Sequence, residues 1–69
     1  NMPIILGIDP GSQITGYGVI EVQGKKLRYL GSGCIRIGRL NLNQRLQEIY
    51  TNIQTVVSQY IPDEVAVEQ

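Results

Sequence analysis

Residues 3–9, Pro-Ile-Ile-Leu-Gly-Ile-Asp, constrain the fold more than any other stretch of the chain. The run is apolar on both alternating faces, the mark of a central strand covered on both sides. It ends in one carboxylate, followed at once by Pro10-Gly11. Proline restricts the residue before it to extended conformations, so Asp9 rides on the last position of the strand. Pro10-Gly11 then fits the two central positions of a type II turn. Asp9 therefore either serves the turn or faces something cationic above the end of a sheet.

The pattern continues in short elements. Residues 14–22, ITGYGVIEV, read as a second strand, with Gly16 and Gly18 on one face. Two glycines on one face mark a close approach by a backbone or a ligand, although easier sheet packing is the plainer explanation. Gln23-Gly24 reads as a hairpin turn. Residues 25–36, KKLRYLGSGCIR, form a third strand, with Gly31 and Gly33 again sharing a face. Asn41 is placed to cap a helix, and Gln44 three positions on completes a capping box. Leu42, Leu46, Ile49, Ile53, Val56, Val57 and Tyr60 then recur at helical spacing. Arg45, Gln47, Glu48, Asn52, Gln54, Ser58 and Gln59 supply the polar face, so one stripe packs on a sheet. Pro62 stops the helix, and residues 63–68, DEVAVE, form a last strand.

The order β-β-β-α-β makes a meander followed by a right-handed crossover, so the last strand runs parallel to the first and third. It lies either beside the first strand or outside the third. Beside the first, Asp9 and Glu68 emerge from neighbouring strands about 5 Å apart; outside the third, roughly 14 Å separates them. Only the first arrangement makes a site. Two adjacent carboxylates repel each other unless a cation neutralises them. Mg²⁺ suits such a pair, because it takes one or two protein carboxylates and fills its remaining positions with water and phosphate oxygens. One ion, or two about 4 Å apart, can polarise a phosphodiester and activate water.

Composition narrows the field further. The chain has 69 residues, which allows one small domain, and 42% are hydrophobic, as in globular proteins. There is no histidine and one cysteine. Zinc is a poor fit without histidine or a Cys-x-x-Cys pair, and histidine acid–base chemistry and catalytic triads within the chain are excluded. Cys34 reads as a buried small apolar residue, and a single cysteine implies a reducing compartment. No apolar run is long enough to span a membrane, and the N-terminus lacks the basic-then-apolar pattern of a secretory signal. The formal net charge is zero, so no basic excess advertises nucleic acid. Lys25, Lys26 and Arg28 cluster at the hairpin, where they protect a strand edge, with phosphate contact as the alternative. The four tyrosines read as core or rim. Asn1 before Met2 reads as a cloning remnant. A strand running to the terminus suggests a polypeptide that continues in its parent.

Together, the blocks "ILGIDPGSQITGYGVI", "YLGSGCIR", "RLQEIY" and "PDEVAVEQ" resemble the N-terminal part of bacterial RuvC-type Holliday junction resolvases. The resemblance runs over residues 2–69. It implies an RNase H-like α/β fold with strand order 3-2-1-4, as the N-terminal part of one nuclease domain. It also implies a homodimeric, Mg²⁺- or Mn²⁺-dependent endonuclease of four-way DNA junctions, bacterial and cytoplasmic, working with branch-migration proteins. The family's first two catalytic, metal-binding acids fall on Asp9 and Glu68. Two further acids and most of the basic DNA-binding surface lie downstream in the family, so the chain alone is expected to be inactive. With one helix for two sheet faces, it is also expected to self-associate or to be marginally stable.

Two other readings start from the same features. Actin-like and sugar-kinase-type ATPases also open with an apolar strand, an acid and a glycine. Their phosphate loop carries a base shortly after the glycine, whereas none precedes Lys25 here. A RuvC-like nuclease of ribosomal RNA processing shares the fold, but "GYGVI" and "GSGCIR" favour the resolvase.

Overall fold

The computed structural model describes residues 2–68; the reading of Asn1 and the side chain of Gln69 lie outside them. Four strands and one helix follow the expected order: β1 (Ile4–Asp9), β2 (Ile14–Gln23), β3 (Lys26–Arg36), α1 (Leu42–Tyr60) and β4 (Glu64–Val67). They form a single sheet ordered β3-β2-β1-β4. β1 pairs antiparallel with β2 and parallel with β4, so β4 lies beside the first strand and the alternative placement is excluded.

Strand alternation gives the sheet two unlike faces. Leu6, Val19 and Val56 are buried together beneath α1, with Ile4, Ile8, Tyr17, Leu30, Ile53 and Tyr60 packed around them. The register pairs Leu6 with Val19 and Ile8 with Tyr17, which places these residues on the helix face. Gly7, Asp9, Gly16 and Gly18 take the alternate positions and face away from the helix. Coverage of β1 on both sides is therefore corrected: among the described residues, one helix shields one face. Cys34, expected to be buried, is exposed, since it pairs with Gly16 on the uncovered face.

The helix starts as its capping box dictates. The Asn41 side chain accepts from the Gln44 amide at 2.9 Å, and the Asn41 amide donates to the Gln44 side chain at 3.0 Å. Its apolar stripe is only partly used. Val56 is buried and Ile49, Ile53 and Tyr60 are half-buried, whereas Leu42 and Leu46 stay exposed. Arg45 and Asn52, assigned to the polar face, are half-buried instead. Leu46 borders an apolar concavity with Ile8, Ile49 and Ile53 that no side chain of the described residues fills, and Arg45 folds back to donate to the Leu40 carbonyl at 2.8 Å.

Both turns differ from expectation. The type II turn at Pro10-Gly11 requires a positive φ at Gly11, and among the described glycines only Gly24 has one. Gly11 is needed for space instead, since a Cβ there would collide with the Ile14 carbonyl oxygen. The hairpin turn is Gly24-Lys25, one residue later than expected, flanked by the Gln23–Lys26 pair. A positive φ at the first central residue alone suits a II′ turn with glycine there.

At its C-terminus the helix ends on Ile61 at φ 49°, with its amide donating to the Val57 carbonyl at 2.8 Å. Pro62 denies Ile61 the right-handed helical region. The left-handed alternative costs about 1–2 kcal/mol for a residue with a side chain. It turns the chain back toward β1, where the next residues dock.

Candidate metal and phosphodiester site

Two backbone contacts place the carboxylates. At the start of β4, Asp63 grips Ile4 twice: its amide donates to the Ile4 carbonyl at 2.8 Å, and its Oδ2 accepts from the Ile4 amide at 2.8 Å. At the other end the Glu68 amide donates to the Ile8 carbonyl at 2.9 Å. Between them Ile5 pairs with Glu64 and Ile8 with Val67. Asp9 and Glu68 thus leave adjacent parallel strands at the same edge, both exposed and both on the face away from α1.

Neither carboxylate is engaged elsewhere. Among the described residues, neither side chain accepts a hydrogen bond, and the Arg28–Glu21 contact is the one ion pair. Asp9 therefore does not act as a hydrogen-bonding turn former. Both acids border a shallow trough of about 550 Å³ floored by Gly7, Gly16, Gly18 and Ala66. A Cβ built on Gly16 or Gly18 would meet nothing within 4 Å. These positions are open because no protein side chain fills them.

The second glycine pair behaves oppositely. Gly31 and Gly33 sit on the helix face, paired with Val19 and Tyr17. A Cβ on Gly31 would strike the Tyr60 hydroxyl, and one on Gly33 would lie 2.6 Å from the Tyr17 hydroxyl and 2.8 Å from two of its ring carbons. Tyrosine rings lie where these side chains would be. Sequence reading missed both this packing and the Asp63 clamp. The available signal was the same-face spacing of glycines and tyrosines, which becomes readable only when the helix-bearing face is known.

The donor set fits a hard divalent cation. Two exposed carboxylates offer oxygen ligands and no nitrogen or sulfur, and they leave most positions for water and phosphate oxygens. No group of three or more potential ligands occurs among the described residues; Asp9 and Glu68 border one trough as two carboxylates.

Comparison with known proteins bears on the family and the fold. The profile of the family described as "Crossover junction endodeoxyribonuclease RuvC" matches residues 5–69. A curated relative of that name from Shewanella frigidimarina is 59% identical across 99% of this chain, which spans 39% of the relative's length. The structure of "T. thermophilus RuvC in complex with Holliday junction substrate" superposes with a TM-score of 0.88 at 30% identity, over 97% of this chain and 42% of that one. An Aquifex aeolicus PPX-GPPA enzyme superposes at 0.75 with 15% identity, over 97% of this chain and 26% of that one, which is a likeness of fold alone. With a mixed 3-2-1-4 sheet, a carboxylate at each of two neighbouring strand ends and a family match over nearly its whole length, the chain belongs to the RuvC family of crossover junction endodeoxyribonucleases.

Proposed function

We propose that this chain supplies the first two acidic ligands of a metal-dependent endonuclease that resolves four-way DNA junctions in recombination and repair. The observation that carries the reading is the unengaged pair Asp9 and Glu68, held abreast by the Glu68 amide on the Ile8 carbonyl. These two residues would hold Mg²⁺ or Mn²⁺, which when bound supplies a polarised phosphodiester and a water made nucleophilic near neutral pH. The chain's own contribution is positional. Backbone hydrogen bonds of the sheet fix the strand ends that carry Asp9 and Glu68, so their placement needs no loop residue. Gly16 and Gly18 keep the floor beside them bare, which lets a sugar–phosphate backbone descend to the level of the carboxylates. In this reading the complete protein is a bacterial, cytoplasmic homodimer that meets branch-migration proteins on DNA. Two sites related by a two-fold axis match a two-fold junction.

The test uses a full-length hybrid in which these residues replace the matching stretch of the Shewanella frigidimarina relative. Asp9→Asn and Glu68→Gln should each retain junction binding and lose Mg²⁺-dependent nicking by at least 10²-fold. Equal nicking by either variant removes that residue from the site. The 69-residue chain alone should nick nothing, since two carboxylates are too few to complete the site; Mg²⁺-dependent nicking by the purified chain would contradict this. Titration with ATP checks the ATPase alternative, which micromolar binding would favour.

A further inference from the structure

The six basic residues divide into two groups at opposite ends of the sheet. Lys25, Lys26 and Arg28 surround the β2–β3 hairpin, next to the start of β1. Arg36, Arg39 and Arg45 follow the far end of β3 and enter α1, at the end where Asp9 and Glu68 emerge. From Gln23 to Ile14 the strand covers roughly 30 Å, so the hairpin cations are remote from the carboxylates.

Arg36 and Arg39 share one concavity of about 330 Å³ with Gln13, Ile14, Gly38 and Leu40. Both arginines are exposed, and among the described residues neither pairs with a carboxylate. Arg45 is already committed to the Leu40 carbonyl. The turn that joins Arg36 at the end of β3 to Arg39 is firmly held. Ile37 is 3% exposed, its amide donates to the Gln13 carbonyl at 2.9 Å, and its carbonyl accepts from the Leu40 amide at 3.1 Å. Gln13 packs so closely over Gly38 that a Cβ there would collide with its side-chain oxygen.

The register relates this pocket to the carboxylates. Asp9 pairs with Gly16 and Gly16 with Cys34, so the three share a row and a face. Arg36 lies two residues beyond Cys34 and pairs with Ile14, on that same helix-free face. Two strand spacings and two residues put its Cα roughly 12 Å from that of Asp9. Duplex DNA carries a phosphate every ~3.4 Å of axis on each strand, so this gap corresponds to a few nucleotides. Two planar donors lining one concavity suit a phosphate better than two ammonium groups would.

We propose that Arg36 at the end of β3 and Arg39 in the turn that follows, both at the carboxylate end of the sheet, form an anion subsite. It takes a backbone phosphate a few nucleotides from the one beside Asp9 and Glu68. The proposal rests on the nuclease reading and assigns phosphate contact to this pair, not to the hairpin cluster.

The experiment measures binding of the full-length hybrid to a fluorescein-labelled four-way junction across a salt series, in Ca²⁺ to prevent cleavage. R36A/R39A should weaken binding by roughly tenfold per arginine at low salt. It should also flatten the slope of log K against log salt by about 2. R36K/R39K should restore the slope while recovering only part of the affinity. K25A/K26A should leave both unchanged. Unchanged affinity and slope in R36A/R39A, or a loss in K25A/K26A of equal size, overturns the proposal. A second measurement covers a hybrid that folds poorly. In the 69-residue chain, a short thymidylate oligonucleotide should shift the amide resonances of residues 13 and 36–39 and spare those of 24–26; the reverse pattern overturns it as well. The two readings fail separately: an inactive hybrid that still binds through Arg36 and Arg39 strikes the nuclease assignment alone.

Discussion

The glycine pairs Gly16/Gly18 and Gly31/Gly33 have the same spacing, lie on neighbouring strands and do opposite things. Beneath α1, Tyr60 and Tyr17 occupy the room left by Gly31 and Gly33, so the missing side chains are replaced by protein. On the other face nothing replaces them at Gly16 and Gly18, and the bare strip runs up to Asp9 and Glu68. A glycine in a sheet thus has two physical uses: it admits an aromatic ring from the same molecule, or it reserves space for a visitor. Which use applies is decided by which side the helix covers.

Four substitutions can break or sharpen this contrast, ordered by the size of the expected change in urea unfolding of the chain followed by circular dichroism. Tyr60→Ala should cost about 2–3 kcal/mol, below the 3–5 kcal/mol of a fully buried aromatic because the ring is half-buried. Gly33→Ala should cost about 1–2 kcal/mol, because the methyl group must displace the Tyr17 ring. Thr15→Val should gain about 1 kcal/mol, since the Thr15 hydroxyl is buried with no partner among the described residues. Gly18→Val should change stability least, with a gain of at most about 1 kcal/mol from strand propensity. Its effect should appear elsewhere, as weaker junction binding by the full-length hybrid. If Gly18→Val destabilises as much as Gly33→Ala, the two pairs are not different in kind. If it leaves both stability and DNA binding untouched, the bare strip has no visitor.

Much of this was legible from residue order because local rules agreed with one another. The apolar run into Asp9, the capping box at Asn41 and Gln44 and the stop at Pro62 each rest on nearest-neighbour chemistry, and each appears where expected. The placement of β4 beside β1 was open on topology alone; the resemblance supplied the order that the structure has. What escaped depends on contacts between distant residues. The Asp63 clamp joins positions 59 apart. The pairing of Gly31 with Tyr60 needs the helix to be docked first. Arg36 looks like scattered surface charge until the register sets it on the same end and face as Asp9, with Arg39 lining the same concavity. The turn at Pro10-Gly11 escaped for another reason: its dipeptide suits a type II geometry, but the Ile14 carbonyl leaves room only for glycine in a different conformation.

The double grip of Asp63 on Ile4 has a consequence for how genes of this kind can change. Five peptide units separate the grip from the acid on each strand, from Ile4 to Asp9 and from Asp63 to Glu68. Removing or adding one residue between Asp63 and Glu68 would carry the glutamate through the plane of the sheet to the tyrosine side, because strand side chains alternate. Codons in that interval can be exchanged, but their number is locked, whereas loops such as the one around Gly11 answer only to local space.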